Sequence, residues 1–252
     1  MNEEVNVFWP GLAMNVVASL CGVAAVQRWR HARISPWEGM GWRLDRRVWV
    51  DVGIGMAISA LVMAGIFCTE WALGLLRVHG LQTPNLRWMV RLPVLAFLAF
   101  TEEAVYRSLM LNGLLVLLRK RWLALIVMSA GFGLAHAGNP NASALSVLGN
   151  VVDGLIYGMA FLGSGRIWLP WGLHLAWNFC QGPVLGFPVS GLDMGGLVQQ
   201  IPVGNAFFTG GSYGPEAGLL AMPFRVVAIA LLVGWLSRRS EGRLSYARAA
   251  HS

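Results

Sequence analysis

Seven long apolar runs make up most of this chain, and they limit the folds that are open to it. They lie at about residues 7–27, 48–72, 92–118, 122–137, 143–163, 167–187 and 219–237. A helix of about 20 apolar residues is long enough to cross a bilayer. The chain is only 12% charged, against about 25% in an ordinary soluble domain. The sequence therefore predicts an all-α fold: one polytopic transmembrane helix bundle over residues 1–252, with about seven spans.

Lysine and arginine are distributed unevenly between the loops that connect these runs. Loop 28–47 holds six, 119–121 three, Arg166 is one and the residues after 237 hold four; the opposite loops hold only Arg77, Arg87 and Arg91. Cytoplasmic loops are enriched in these residues, so we predict a multi-pass protein of the cell membrane with its N-terminus outside and its C-terminus in the cytoplasm. Topology thus explains the net charge of +7, and no nucleic-acid partner is expected.

The connections carry further expectations. Residues 77–91 are predicted to form an amphipathic segment on the membrane surface. The glycine-rich loop 188–218 is either a lid or a solvated connection. Residues 1–8, MNEEVNVF, lack a positively charged segment and a small-residue cleavage site, so no cleaved signal peptide is expected.

Four more polar residues fall within or near the apolar runs. Glu70 and Arg225 lie near predicted span ends, from which long side chains can extend to the membrane interface. Asp153 and Tyr157 share one face of the fifth run. We assign these two to interhelical contacts, with a place on a cavity wall as the alternative.

The third run contains three charged residues where a membrane span should carry none. Glu102, Glu103 and Arg107 interrupt the sequence LPVLAFLAFTEEAVYRSLMLNGLLVLL, residues 92–118. An ionised side chain near the bilayer centre costs at least ~2.5–3.5 kcal/mol on insertion scales. Such residues point to function. A structural ion pair between Glu103 and Arg107, one helical turn apart, is the simpler alternative.

Two further runs carry polar or aromatic residues at the same four-residue spacing. Phe132 and His136 end the fourth run, and His174 and Asn178 lie in the sixth. Residues four apart share one face of a helix. We therefore predict that three helices direct polar groups into one intramembrane cavity. Taken alone, each of these pairs is explained by packing or by interhelical hydrogen bonds.

The residue types in this predicted cavity suit the hydrolysis of a peptide bond. A carboxylate held in such a cavity can take a proton from water, and we assign Glu102 as this base. Glu103 then pairs with Arg107. The histidines and Asn178 are predicted to hold the water and to donate hydrogen bonds to the oxyanion that forms.

A bound metal is the alternative way to activate that water. His136, His174 and Glu102 are a possible ligand set for zinc, with one position left for water. The H-E-x-x-H pattern of soluble zinc proteases is absent. We favour the glutamate mechanism without a cofactor and keep zinc as the alternative.

The motifs EExxxR, FxxxH and HxxxN follow one another in successive apolar runs. They are formed by Glu102, Glu103, Arg107, Phe132, His136, His174 and Asn178. In this order they resemble the motifs of the CPBP family, which comprises type II CAAX prenyl endopeptidases and bacteriocin-processing or immunity-associated membrane proteases. The resemblance covers about residues 92–182, the motif-bearing core. It implies an intramembrane peptidase whose catalytic residues are both glutamates, both histidines and Asn178, supported by Arg107 and Phe132.

The predicted function is that of an intramembrane endopeptidase, a hydrolase surrounded by membrane lipid that cleaves a membrane-associated protein or peptide. With the third run entering from outside, Glu102 lies about 15 Å below the outer surface, and we expect outer access to the site. Two alternatives are open. In a proton-coupled transporter Glu102 and Glu103 would relay protons, but the paired repeats of transporters are not found. A catalytically silent immunity protein would keep the same fold.

Overall fold

The computed structural model describes residues 3–84 and 86–238, most of which are helical. The helices are α1 (Glu3–His31), α2 (Pro36–Gly39), α3 (Arg47–Ala72), α4 (Leu86–Glu103), α5 (Asn112–Leu118), α6 (Arg121–Ala135), α7 (Ala144–Ser164), α8 (Trp168–Phe179), α9 (Ala206–Thr209) and α10 (Ala221–Ser237). One π-helical turn, Ala104–Leu111, joins α4 to α5, and another, Cys180–Val184, extends α8. The strands are β1 (Leu76–Leu81) and β2 (Val198–Pro202).

A helix lies at each of the seven apolar runs. Within the described part of the chain, three helices are long and apolar enough to cross a membrane, namely Leu12–His31, Arg47–Ala72 and Ala144–Ser164. Helices α6 and α8 have only 15 and 12 residues, so the seven-span arrangement stays a prediction. The basic residues after 238 and the side chain of Arg87, on which the orientation partly depends, lie outside the described residues.

Strands β1 and β2 form a two-stranded antiparallel sheet, which the all-α prediction missed. The register runs from Leu76 paired with Pro202 to Leu81 paired with Val198, and β1 carries a bulge. The prediction of an amphipathic surface segment at 77–91 is therefore wrong. Its first part is a strand and its last part belongs to α4, which begins earlier than the apolar run does. The hydrogen-bonding partner of β1 is distant in sequence, so no local pattern announced the sheet.

Helix α8 packs against α3, α4 and α7, and two glycines allow its close approach to α3. A Cβ on Gly55 would lie 2.6 Å from the carbonyl oxygen of Leu169, and one on Gly172 would lie 2.6 Å from that of Val52. Small residues at a helix interface let the two backbones meet in a membrane, where apolar burial alone does not drive association. This interface fixes the position of α8, which carries His174.

The connection between α8 and α10 folds back onto the bundle. Tyr213 and Glu216 within it are 1% and 3% exposed. The side chain of Asn150, on α7, donates a hydrogen bond of 3.0 Å to the hydroxyl of Tyr213. Loop 188–218 is therefore more than a solvated connection, because part of it is buried against α7 although other parts are exposed.

Candidate active site

Glu103 is the last residue of α4, directly before the π-helical turn. Its Oε1 lies 3.1 Å from Nη1 of Arg107 and 2.8 Å from Nδ1 of His174. Glu103 and Arg107 are both completely buried. The predicted ion pair is therefore present. His174 is a second partner of Glu103 that the sequence did not reveal, since the two residues lie on different helices.

The π-helical turn between α4 and α5 is itself informative. Short π-helical stretches within α-helices are rare and often occur at functional sites. Here the turn begins one residue after Glu103 and contains Arg107. It therefore lies where the predicted charged residues cluster.

The imidazole of His174 stands between the two neighbouring carboxylates. Nδ1 faces Glu103, and Nε2 lies 3.9 Å from Oε2 of Glu102. Because an ionised carboxylate only accepts hydrogen bonds, we assign the proton of the 2.8 Å contact to Nδ1. The ring also stacks on Tyr157, with centroids 4.9 Å apart and an interplanar angle of 15°. The orientation of His174 is thus set from two sides.

Phe132 lies at the centre of the aromatic packing around this site. The guanidinium carbon of Arg107 lies 4.4 Å from the centroid of its ring, within the range of a cation–π interaction. Its ring centroid is 4.7 Å from that of His136 and 6.0 Å from that of His174. Phe132 therefore packs against Arg107 and both histidines, and its supporting role in catalysis stays a prediction.

His136 follows the last residue of α6 and is half-buried. Its Nδ1 lies 2.8 Å from the carbonyl oxygen of Phe132. Since a carbonyl oxygen can only accept, Nδ1 carries the proton of this hydrogen bond. In the neutral ring Nε2 is then a hydrogen-bond acceptor.

One cavity joins most of the predicted site residues. It has a volume of about 450 Å³, and its walls include Glu102, Phe132, His136, His174 and Asn178. The side chain of Glu102 is 38% exposed, in contrast to the buried Glu103 behind it. The structure thus separates the two adjacent glutamates into one that faces the cavity and one that holds His174.

A second charged pair lies beside this cavity. Asp153, on the cavity wall, accepts two hydrogen bonds of 2.8 Å from Nε and Nη2 of Arg225. Arg225 is completely buried and Glu70 is 1% exposed, so the expectation that both extend to the interface is wrong. Tyr157 lines the cavity as well. A place on the cavity wall, which was the alternative for Asp153 and Tyr157, therefore describes their position better than interhelical contact alone.

Glu216 is a cavity residue that the motifs did not predict. It lies in the segment between β2 and α10, and its Oε2 accepts hydrogen bonds from the backbone nitrogen and the hydroxyl of Ser190, at 3.0 and 2.7 Å. Burial raises the pKa of the Glu216 carboxyl, and the hydrogen bonds from Ser190 oppose that rise. Burial likewise raises the pKa of Tyr213 to about 12. A lone glutamate in a glycine-rich loop has no periodicity that could have marked it.

A family comparison agrees with the motifs. Residues 83–180 match the model of the family described as type II CAAX prenyl endopeptidase Rce1-like. The match spans all three motifs and confirms the predicted resemblance. Because this is a family of membrane endopeptidases, the match supports a hydrolase in general terms. No curated protein and no solved structure matches the chain.

The zinc alternative does not fit the donor geometry. Among the described residues, no three His, Cys, Asp or Glu side chains form a group that could hold a metal ion. His174 uses Nδ1 for Glu103 and His136 uses Nδ1 for a backbone carbonyl, so only Nε2 of each ring is left as a donor atom for a metal. Because the described His136, His174 and Glu102 do not form such a group, the structure does not support the metalloprotease assignment.

Proposed function

We propose that this protein is an intramembrane endopeptidase that hydrolyses a peptide bond of a membrane-associated protein or peptide. The observation that carries the proposal is the position of His174 between two carboxylates. Glu103 holds one ring nitrogen at 2.8 Å, and Glu102 faces the other from the cavity at 3.9 Å. Carboxylates that differ in environment can divide the work of orienting and of proton transfer.

In this proposal Glu102 is the general base. It takes a proton from the attacking water and later delivers that proton to the nitrogen of the leaving amine. His136, whose Nε2 is an acceptor in the neutral ring, holds the water. The side-chain amide of Asn178 donates a hydrogen bond to the oxyanion of the tetrahedral intermediate.

Glu103 and Arg107 act through His174. The ion pair stabilises the buried Glu103 within the helix bundle, and Glu103 in turn orients the imidazole through its contact with Nδ1. A protonated His174 beside Glu102 then lowers the energy of the anionic intermediate. Glu103, Arg107 and Phe132 are thus positioning residues in this mechanism.

The proposal also includes the predicted membrane topology and domain organisation. It comprises a single transmembrane domain of about seven spans, a motif-bearing core at residues 92–182, an outer N-terminus and a cytoplasmic C-terminus. The helices at all seven apolar runs support it. The match over residues 83–180 supports the core.

The proposal is tested by replacing the base and examining protein termini. We would compare the N- and C-termini of membrane and secreted proteins in cells that carry the wild type, Glu102→Gln, or Glu38→Gln. Glu38 is an exposed control, with 52% of its side chain accessible. Removal of a general base lowers the rate by about 10²–10⁴-fold, so a set of termini should disappear with Glu102→Gln only.

Two outcomes would contradict the proposal. Identical termini in the wild type and Glu102→Gln, with both proteins folded and inserted, would favour the catalytically silent alternative. Proton-coupled uptake by the protein in liposomes that is lost with Glu102→Gln would favour the transporter.

A further inference from the structure

The cavity of the candidate site lies at one end of the helix bundle. Helix α6 runs towards it and ends at His136, while α8 runs towards it and carries Asn178 in its last turn. The cavity walls continue into the connections beyond those helix ends, at Asn139, Ser190 and Leu192. We call this the cavity end of the protein.

The opposite end is defined by contacts between three connections. Arg166, between α7 and α8, donates hydrogen bonds of 2.8 and 2.9 Å to the carboxylate of Asp45, which precedes α3. Arg121, at the start of α6, donates one of 3.1 Å to the carbonyl oxygen of Leu162, near the end of α7. The connections 32–46, 119–120 and 165–167 therefore meet on one surface, which we call the basic end.

The two ends differ sharply in charge. Residues 28–47 hold six arginines and 119–121 hold three lysines or arginines, to which Arg166 is added. The described side chains at the cavity end include Arg77 and Arg91, and Arg91 donates to the carbonyl oxygen of Gly195 at 2.9 Å. The described residues that line the cavity include no lysine or arginine, but three acids. The rule that cytoplasmic loops are positively charged places the basic end in the cytoplasm.

We propose that the cavity opens to the non-cytoplasmic side, so that its substrate is a membrane-anchored protein or peptide cut in a segment that reaches that side. This inference rests on the proposed endopeptidase function. A tail confined to the cytoplasm meets the basic end, whereas the cavity walls continue to the other end of the bundle, and the length of α6 separates the basic end from His136.

The covering of the cavity end fits this direction of entry. The backbone nitrogen of Gly191 donates a hydrogen bond of 2.9 Å to the carbonyl oxygen of Tyr213, which ties the two halves of the 188–218 segment together over the site. Leu192, on the cavity wall, is nevertheless 55% exposed, and Leu98 on α4 is 48% exposed. The cavity therefore borders both the solvent-facing segment and the lipid-facing side of α4, as a membrane-anchored substrate requires.

Cysteine labelling in intact cells tests the direction without any knowledge of the substrate. In a full-length chain with Cys21, Cys68 and Cys180 replaced by alanine, Leu192→Cys reports on the cavity end and Glu38→Cys on the basic end. Glu38 is chosen because its side chain is 52% exposed and because its replacement removes none of the basic residues that set the orientation. Ser212→Cys, an exposed position, is a second probe of the cavity end.

A membrane-impermeant maleimide should label Leu192→Cys and Ser212→Cys in intact cells, and Glu38→Cys only after the membrane is permeabilised. Labelling of Glu38→Cys alone in intact cells would overturn the proposal, as would equal labelling of all three. Cavity-end cysteines that react only after permeabilisation would overturn it as well.

The position of the cleavage sites tests the substrate class. Termini that depend on Glu102 should map to segments on the non-cytoplasmic side of membrane proteins, and a set confined to cytoplasmic segments would overturn the inference. The two proposals fail separately. If labelling is as expected but no protein termini depend on Glu102, the peptidase proposal fails and the proposed orientation stands. If termini depend on Glu102 but the labelling is reversed, the orientation fails and the peptidase proposal stands.

Discussion

Glu103 holds His174 through a contact of 2.8 Å between Oε1 and Nδ1. The same oxygen lies 3.1 Å from Arg107, so one carboxylate links the cation of its own helix to the imidazole of another. Glu102, the preceding residue, has a different environment and faces the cavity. Adjacent identical residues therefore have different energetic consequences when they are replaced.

We expect Glu103→Ala to destabilise the protein much more than Glu102→Ala. Removing Glu103 leaves the completely buried Arg107 without its counter-charge, which costs about 3–5 kcal/mol. Glu102 is 38% exposed on its side chain, so its loss should matter less. Unfolding of the purified protein in mixed detergent micelles measures both changes. Equal loss of stability in the two variants would contradict the assigned roles.

The aromatic ring of Tyr157 should be needed for full cleavage of the substrate, and its hydroxyl should not. Tyr157→Phe keeps the ring that stacks on His174 and should retain processing. Tyr157→Leu removes the ring and with it a stacking interaction of about 0.5–1.5 kcal/mol beyond the buried area. The rate of substrate cleavage should therefore fall by up to about tenfold. The readout is the abundance of Glu102-dependent termini per folded molecule. Phe161→Leu, a buried aromatic one turn along α7, is the control. If cleavage fell equally in that control, the effect of Tyr157→Leu would come from general packing of α7 and not from the stacking on His174.

Asp153 and Arg225 should show strong energetic coupling. Because both are buried, Asp153→Leu or Arg225→Met alone leaves a charge without its partner and should cost about 3–5 kcal/mol. The double variant removes both charges and should cost less than either single change. A double-mutant cycle of unfolding free energies measures the coupling. Additive losses would show that the two side chains act independently.

Gly55→Ala should loosen the interface between α3 and α8. The new Cβ would lie 2.6 Å from backbone atoms of α8, and overpacking of this kind costs about 1–3 kcal/mol. Gly53→Ala is the matched control on the same helix, because no neighbouring side chain or other part of the chain lies within 4 Å of where its Cβ would be. Alanine also favours the helix by roughly 0.5–1 kcal/mol over glycine, so the control should be neutral or stabilising. Thermal unfolding in detergent compares the two, and equal behaviour would contradict the close approach.

The helices at the apolar runs and the residues of the candidate site could be predicted from the chain alone. Apolar runs and four-residue spacing are local patterns with the period of a helix, and they placed Glu102, His136 and His174 on three helices before any contact was known. The family resemblance followed from the order of these motifs. The prediction of an ion pair between Glu103 and Arg107 succeeded for the same reason, since both partners lie on one helix.

Tertiary structure decided which of these residues meet and what completes the site. His174 and Glu103 are 71 positions apart, and Arg225 and Asp153 are 72 apart, so no periodic pattern relates them. The position of Glu216 on the cavity wall and the pairing of β1 with β2 depend likewise on segments that approach only after folding. A local pattern can specify which face of a helix a residue lies on. Its partner on another helix is decided by the packing of the whole bundle, because buried charges are stable only when an opposite charge lies beside them.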